Sequence, residues 1–362
     1  MINQAAQSLM EIERKNAKRA SIVVGVVNKE DHFITGTVDN EIDGVDTKDR
    51  VFEIGSTTKT FTSLLLSKLV LNNTIALDEP ISSFKPEYKN ALSYNGKEVT
   101  FRHLATHRSS LPREDMKTLR KRMKEHKNEK DNPYKYFTPQ DFNKFFIDYD
   151  LKKDIDTKWN YSNAGYGLLA NVLSELVGTT YEEAIKENIL VPLKINDTFI
   201  TGDEAQLSRY IQPYNKKVEP IRPIMLPAIN GAGALKSTMN DMLHYLKAQM
   251  GLIQHPIQKE MDFTHQIHST TQWKDFNMGL GWFIENKKWS DFPIIHHGGT
   301  TMGFHTYCGF IKEKQIGVVI SSTIQLKNIR IIKMLLKLTG IVNENIAKEI
   351  FMHNLKGTSS SI

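Results

Sequence analysis

Cysteine is almost absent from this chain of 362 residues, which contains Cys308 alone. A single thiol cannot form an intrachain disulfide or supply a cysteine cluster for zinc, and we expect Cys308 to be a core residue. Long apolar runs are also missing, since no stretch reaches the roughly 18 consecutive apolar residues of a membrane span. The N-terminal stretch MINQAAQSLMEIERKNAKR lacks the apolar centre of a signal peptide. We therefore expect a soluble protein, either cytoplasmic or, after removal of a leader, an extracytoplasmic bacterial protein built without disulfides.

Charge is present in modest excess, with 47 Lys and Arg against 41 Asp and Glu, a formal net charge of +6. Much of it is concentrated in residues 113–135, REDMKTLRKRMKEHKNEKDNPYK. A solvated helix and loop is the simplest interpretation of this stretch, and weak contact with an anionic envelope polymer is the alternative. No helix-turn-helix, zinc finger or aromatic RNA-binding motif is present, so we do not expect a nucleic-acid partner.

Strand-like segments lie at the two ends of the chain, and helical patterns fill the middle. SIVVGVV and HFITGTV, joined by a short polar link, predict a hairpin, and RVFEI predicts a further strand. β-character returns in FPIIHH, FHTYCGF and IGVVISST, after which we expect a final helix from about Ile329. The fold class expected is therefore an α/β domain plus an all-α domain. Residues 1–80 and 270–362 would share an antiparallel sheet flanked by the terminal helices, and residues 81–269 would form a mostly helical inserted domain.

The stretch VFEIGSTTKTFTSLLLSKLVL places Ser56 at a strand-to-helix junction and Lys59 one helical turn later. A serine there lies near unpaired backbone N–H groups and the positive end of the helix dipole. Positions i and i+3 share a helix face, so a desolvated lysine could act as base for the hydroxyl. The alternative is an ordinary N-cap serine. The spacing also occurs in SSFK, at Ser82 and Lys85, but in a loop-like context before a proline.

Two later segments offer further polar groups for acyl chemistry. WNYSNAGYG places Tyr161 and Asn163 directly before a strong amphipathic helix, and HHGGTTMGF places His297, Gly298 and Gly299 on a late strand. The two glycines leave main-chain N–H groups accessible to a ligand. Each motif alone is weak, because EYKN also matches Tyr-x-Asn and a histidine before two glycines is usually only a strand end.

Metal and dinucleotide sites are poorly supported. His103 and His107 in HLATH have the i, i+4 spacing of metal ligands, but the glutamate of the zinc-protease motif is missing. The glycines near residue 231 do not form a dinucleotide fingerprint. We predict no metal site and no organic cofactor.

Taken together, the three motifs resemble the serine β-lactamase and penicillin-binding-protein superfamily, specifically its class C β-lactamase-like branch of hydrolases, esterases and D-amino-acid peptidases. Ser-x-x-Lys, Tyr-x-Asn and Lys/His-x-Gly occur in the order typical of that family. The connecting segments LDEPI, TFRHLATHRSSLP, YSNAGYGLLANVLSELVG, VPLKINDT, GAGALKSTMNDM and GLGW are similar to its phrases as well. The resemblance spans about residues 20 to 325. It implies a β-lactamase/transpeptidase-like fold with the active site in the cleft between the sheet domain and the helical domain.

The resemblance implies a role for each matching residue. Ser56 would be the acylated nucleophile, Lys59 its proton acceptor, and Tyr161 a partner that helps to move the proton. Asn163 would hold a substrate amide, and the backbone N–H groups of Ser56 and Thr300 would form the oxyanion hole. The reaction is then a two-step acyl transfer that needs no metal or cofactor.

One position departs from the β-lactamase pattern. Class C β-lactamases have Lys-Thr-Gly where this chain has His297-Gly298-Gly299, and a largely neutral imidazole holds a substrate carboxylate less well than lysine does. The resemblance therefore favours hydrolysis of a small ester, amide or D-amino-acid-containing peptide. Penicillin binding, β-lactamase activity, and a slowly turning-over envelope sensor of the same fold are the alternatives.

Overall fold

A computed structural model describes residues 2–15, 19–127, 132–325 and 342–357. Its main feature is an eight-stranded sheet in which all neighbouring strands are antiparallel. The described strands, in chain order, are β1 Ile22–Val27, β2 His32–Thr37, β3 Val51–Glu53, β4 Ser93–Tyr94, β5 Lys97–Glu98, β6 Lys236–Thr238, β7 Ser269–Thr270, β8 Phe276–Met278, β9 Phe283–Glu285, β10 Ile294–Thr300, β11 His305–Ile311 and β12 Ile316–Ser322. The order in the large sheet is β2-β1-β12-β11-β10-β9-β8-β7, and β3 pairs with β6 in a separate ribbon.

Helices cover the sheet and fill the region between the two groups of strands. They are α1 Gln4–Lys15, α2 Thr58–Leu71, α3 Lys89–Leu92, α4 Phe101–Ala105, α5 Met116–Glu125, α6 Pro139–Asp148, α7 Asn163–Val177, α8 Tyr181–Ile185, α9 Val191–Leu193, α10 Glu204–Ser208, α11 Met239–Gln249, α12 Gln258–Thr264 and α13 Val342–Gly357. Among these described helices, none has the length and apolar character needed to span a membrane.

Strand β1 is buried on both faces, which explains its uninterrupted apolar sequence. Val24 belongs to one apolar cluster with residues of α1 and α13, whereas its neighbour Val23 belongs to a second cluster with residues of α11. Alternate side chains of a strand point to opposite faces, so this one strand joins both layers of the core. The terminal helices therefore lie together on one face of the sheet, and α11 lies on the other.

The predicted fold is confirmed: strands from both ends of the chain share an antiparallel sheet, and the terminal helices flank it. Short strands β7 to β9 were not expected, because segments of two or three residues carry too little alternation to be recognised. The expected start of the final helix near Ile329 lies outside the described residues, and α13 begins at Val342.

The division of the chain into two domains stays a proposal. We propose moving the second boundary from residue 270 to about residue 236, since α11 packs directly on the sheet. An added Cβ at Gly25 of β1 would meet the side chains of Met239 and Leu243 at 2.6 to 3.0 Å, so this helix lies tightly against the strand.

Candidate active site

Ser56 lies in a single 3-10 turn, Gly55–Thr57, between β3 and α2. Gly55 has φ of +50°, a left-handed conformation that favours glycine, and its position would bring a Cβ within 2.9 Å of the Thr300 nitrogen. The carbonyl oxygen of Ile54 accepts hydrogen bonds from Thr57 N at 3.2 Å and from the Thr306 hydroxyl at 3.0 Å. The turn that carries Ser56 is therefore fixed directly against the sheet.

Lys59 is the most constrained charged side chain of the site. It is fully buried, and its Nζ lies 3.3 Å from Ser56 Oγ, 2.9 Å from Asn163 Oδ1 and 2.6 Å from the carbonyl oxygen of Ala232. Burial lowers the pKa of Lys59 well below its ordinary 10.5 and the positive charge of Arg113 lowers it further, whereas a neighbouring carboxylate acts in the opposite direction. The site thus holds an amine with a weakened affinity for protons beside the serine hydroxyl.

The turn before α7 brings Tyr161 and Asn163 to the same place. Ser162 caps the helix by accepting a hydrogen bond from Gly165 N at 2.8 Å, which orients the residues on either side of it. Lys59 Nζ lies 4.8 Å from the centre of the Tyr161 ring, and the Ser56 hydroxyl is close enough to act on the phenol. Burial raises the pKa of the Tyr161 phenol above its ordinary value of 10, so this side chain stays protonated at neutral pH.

Strand β10 closes the other side of the site. Its backbone passes so close to the serine turn that an added Cβ at Gly299 would lie 2.9 Å from the carbonyl carbon of Ile54. Gly298 precedes it and is half-buried, whereas Thr300 at the end of the strand is exposed. The late glycine motif and the Ser-x-x-Lys motif, far apart in sequence, are in direct contact.

His297 is buried in the wall of the site and carries no charge at neutral pH. Its Nδ1 lies 2.7 Å from the carbonyl oxygen of Gly298, and its ring stacks on Phe283 with centroids 4.5 Å apart. Burial, assisted by the charge of Lys59, lowers the pKa of His297 to about 3. Its Nε2 has no hydrogen-bond partner among the described residues. At position 297 the imidazole therefore provides an uncharged polar group, whereas a lysine there would provide a cation.

Two further residues of the site were not recognised from the sequence. The ring of His107 lies 4.2 Å from that of Tyr161, and its Nδ1 accepts a hydrogen bond from Ser162 N at 3.1 Å. Glu114 accepts a hydrogen bond from Asn163 Nδ2 at 2.7 Å, so the carboxamide of Asn163 is held at both ends. His107 lies in HLATH and Glu114 in the basic stretch, but no local pattern distinguishes a side chain that supports the active site from a solvated one.

The remaining candidates do not join the site. His103 Nδ1 accepts a hydrogen bond from Thr100 N in the cap of α4, so it does not pair with His107. Ser82 donates to Glu98 at 2.6 Å, and Lys85 is bound instead to a glutamate on α7. Within the described ranges, no group of three or more His, Cys, Asp or Glu side chains is arranged to hold a metal ion.

The sequence of this chain is similar to those of known proteins. The Beta-lactamase family model matches residues 4–330. The chain is 29% identical over 286 residues to the D-alanyl-D-alanine-carboxypeptidase/endopeptidase AmpH of Escherichia coli (strain K12), covering 76% of this chain and 71% of that protein. It is 24% identical to a beta-lactamase of Pseudomonas fluorescens, covering 88% of this chain and 92% of that protein.

Solved structures give the same result for the fold. A class C beta lactamase from Rhodobacter sphaeroides superimposes with a TM-score of 0.77 at 19% sequence identity, covering 98% of this chain and 100% of that one. A D-alanine carboxypeptidase, AmpC from Burkholderia cenocepacia, superimposes with a TM-score of 0.72 at 19% identity, covering 95% and 97% of the two chains.

Proposed function

The chain belongs to the Beta-lactamase family and is a serine hydrolase that works through an acyl-enzyme, and from this premise we propose that Ser56 is the acylated residue and a small ester, amide or D-amino-acid peptide the substrate. The observation that carries the proposal is the contact at 3.3 Å between Nζ of the fully buried Lys59 and Oγ of the half-buried Ser56. An amine within hydrogen-bonding reach of a hydroxyl is the pairing that activates a serine nucleophile.

In the proposed acylation step, Ser56 Oγ bonds to the substrate carbonyl carbon while its proton passes to the neutral amine of Lys59. Burial favours the neutral form of that amine, because the charged form loses its hydration. The carbonyl oxygen becomes negative, and we assign its two donors to the backbone N–H groups of Ser56 and Thr300. Preorganised donors of this kind are usually the largest single contribution to catalysis.

The proton then has to reach the leaving group. We assign this transfer to Tyr161, whose protonated phenol gives its proton to the departing atom and is reprotonated from Lys59. The bond between the carbonyl carbon and the leaving group breaks, and the acyl group stays on Ser56. In the second half a water gives a proton back by the same route, its oxygen bonds to the acyl carbon, and Ser56 leaves with a proton.

Two features of the site support the choice of substrate class. His297 is neutral, so this position of the cleft supplies no cation for a carboxylate next to the scissile bond. Asn163 is held by Lys59 and Glu114, which gives its carboxamide a defined orientation for contact with a substrate amide. Relatives named beta-lactamase keep β-lactam hydrolysis as the second candidate.

The experiment compares wild-type protein with Ser56→Ala on p-nitrophenyl butyrate, D-alanyl esters and amides, and a chromogenic cephalosporin. A fluorescent penicillin and intact-mass spectrometry detect acylation. Ser82→Ala is the matched control, because it removes the serine of the second Ser-x-x-Lys pair, whose hydroxyl contacts Glu98 instead of a lysine.

We expect Ser56→Ala to lower turnover by at least about 10³-fold and to abolish the acyl adduct, while Ser82→Ala keeps both. Turnover of the cephalosporin faster than of any ester would favour the β-lactamase alternative. Penicillin labelling with no turnover of any substrate would favour the sensor alternative. Full activity in Ser56→Ala would refute the assignment of the nucleophile.

A further inference from the structure

The cleft lacks a cation at His297, yet a positive charge lies beside Tyr161. Arg113 leads into α5, and its guanidinium carbon lies 5.1 Å from the centre of the Tyr161 ring. The Arg113 side chain is 65% exposed, in contrast to the fully buried Lys59. Tyr161 therefore has two basic side chains beside it, Lys59 inside the protein and Arg113 open to solvent.

The position of Arg113 is fixed by its main chain. Its carbonyl oxygen accepts hydrogen bonds from Asn163 N at 2.9 Å and Ala164 N at 3.0 Å, the first residues of α7. These bonds tie Arg113 to the same helix end that orients Tyr161. The main chain of Arg113 is thus fixed beside the active site, and its side chain is exposed to solvent.

The guanidinium of Arg113 is free to bind an external anion. Its ion pair with Glu114 is long, with Nε 3.9 Å from Oε1, which is beyond hydrogen-bonding distance. Glu114 is already engaged, since its Oε1 accepts hydrogen bonds from Asn163 Nδ2 at 2.7 Å and from the Tyr134 hydroxyl at 2.6 Å. Arg108, by contrast, donates directly to Asp156 at 2.8 Å. In the described part of the chain, no residue accepts a hydrogen bond from the Arg113 side chain.

We propose that Arg113 is an anion-binding site of the active-site cleft that receives a carboxylate of the substrate. The inference rests on the proposed function and makes it more specific, because it selects acyl compounds that carry a free carboxylate near the scissile bond. A guanidinium binds a carboxylate through two parallel N–H groups, so the site requires the arginine fork as well as the charge. Arg113, beside Tyr161, would supply the cation that His297 does not.

Two thioesters with the same acyl group test the proposal, one releasing thioglycolate and the other thioglycolamide. They differ only in a carboxylate, and a thiol reagent measures both products. The variants are Arg113→Gln, Arg113→Lys and the matched control Arg120→Gln, which removes an exposed cation of α5 outside the described site.

At a pH above the Lys59-dependent decline, we expect Arg113→Gln to lower kcat/KM for the thioglycolate ester by about 10- to 100-fold, mainly through KM, and to lower it far less for the thioglycolamide ester. Arg113→Lys should recover part of the loss, and added salt should weaken the wild-type preference. Arg120→Gln should change neither substrate.

Equal loss on both thioesters would assign Arg113 a structural role and overturn the proposal, as would an unchanged preference in Arg113→Gln. The anion site is also refuted if the wild-type enzyme shows no preference for the thioglycolate ester. Turnover of p-nitrophenyl butyrate by the same preparation would in that case still support the proposed serine hydrolysis. Absence of turnover on all three substrates counts against the proposed function and the anion site together.

Discussion

Replacing Gly299 by alanine should inactivate the enzyme without unfolding it. An added Cβ would lie 2.9 Å from the carbonyl carbon of Ile54, and closer still to that residue's oxygen and to the Thr306 hydroxyl. Nonbonded carbon atoms pack at about 3.5 to 4.0 Å, so β10 and the serine turn have to separate by roughly 1 Å. Ile54 cannot move alone, because its carbonyl oxygen is held by Thr57 and Thr306.

The separation acts directly on the proposed oxyanion hole. Its two N–H groups belong to Ser56 and Thr300, which lie on the two segments that Gly299→Ala pushes apart. A misplacement of about 1 Å costs about 10²-fold in rate, and loss of one donor costs about 10²- to 10³-fold. We therefore expect kcat to fall by about 10²- to 10³-fold, whereas overpacking lowers the free energy of unfolding by only about 1 to 3 kcal/mol.

The assay is steady-state turnover of p-nitrophenyl butyrate, with urea unfolding measured on the same samples. Gly298→Ala is the matched comparison, because its Cβ would meet one atom, the carbonyl oxygen of Thr306, at an ordinary 3.4 Å. We expect a far smaller loss of kcat in that variant. A folded Gly299→Ala enzyme with kcat within about threefold of wild type, too small a loss for a displaced donor, would refute the reasoning.

Three other predictions follow from buried groups. kcat/KM should fall at low pH as the amine of Lys59 gains a proton, with the decline well below pH 10.5 because burial lowers the pKa of Lys59. Glu114→Gln removes a charge that raises this pKa and should move the decline to lower pH, whereas Arg113→Gln should move it to higher pH. Shifts of both variants in the same direction would contradict the assigned effects of these two charges on Lys59. Burial raises the pKa of the Cys308 thiol, so iodoacetamide should leave native activity intact, and inactivation without unfolding would contradict this burial. Arg50 is 2% exposed and donates to three main-chain carbonyl oxygens at 2.7 to 3.3 Å. Arg50→Met removes these hydrogen bonds and should lower the free energy of unfolding, measured in urea, by about 3 to 5 kcal/mol. A loss below about 1 kcal/mol would contradict a structural role for these hydrogen bonds.

Features encoded within a few residues could be predicted from the sequence. The cap at Ser162, the left-handed C-cap at Gly178 and the end of α2 at Asn72 follow from local backbone chemistry. The large sheet could also be predicted, because its central strands are long enough to show their apolar character. The grouping of Ser56 with Lys59 depended on their spacing on one helix face.

Contacts between distant segments could not be derived in this way. Glu114 lies in a stretch dominated by lysine and arginine, and nothing local indicates that its carboxylate holds Asn163. His107 has metal-ligand spacing from His103, an interpretation that the missing glutamate already disfavours, and nothing local indicates that it packs against Tyr161. Both roles are fixed by the packing of α7 against the segment that precedes α5, which is a property of the tertiary structure.

The pairing of β1 with β12 bears on how the protein is made in the cell. Val24 lies opposite Ile320, so the edge of β1 that pairs with β12 stays uncovered until almost 300 further residues have been synthesised. Until then the nascent protein exposes an apolar strand edge on the ribosome, where pairing with a second nascent copy competes with correct folding. Synthesis that stops before β12 should therefore yield aggregates instead of a smaller folded enzyme.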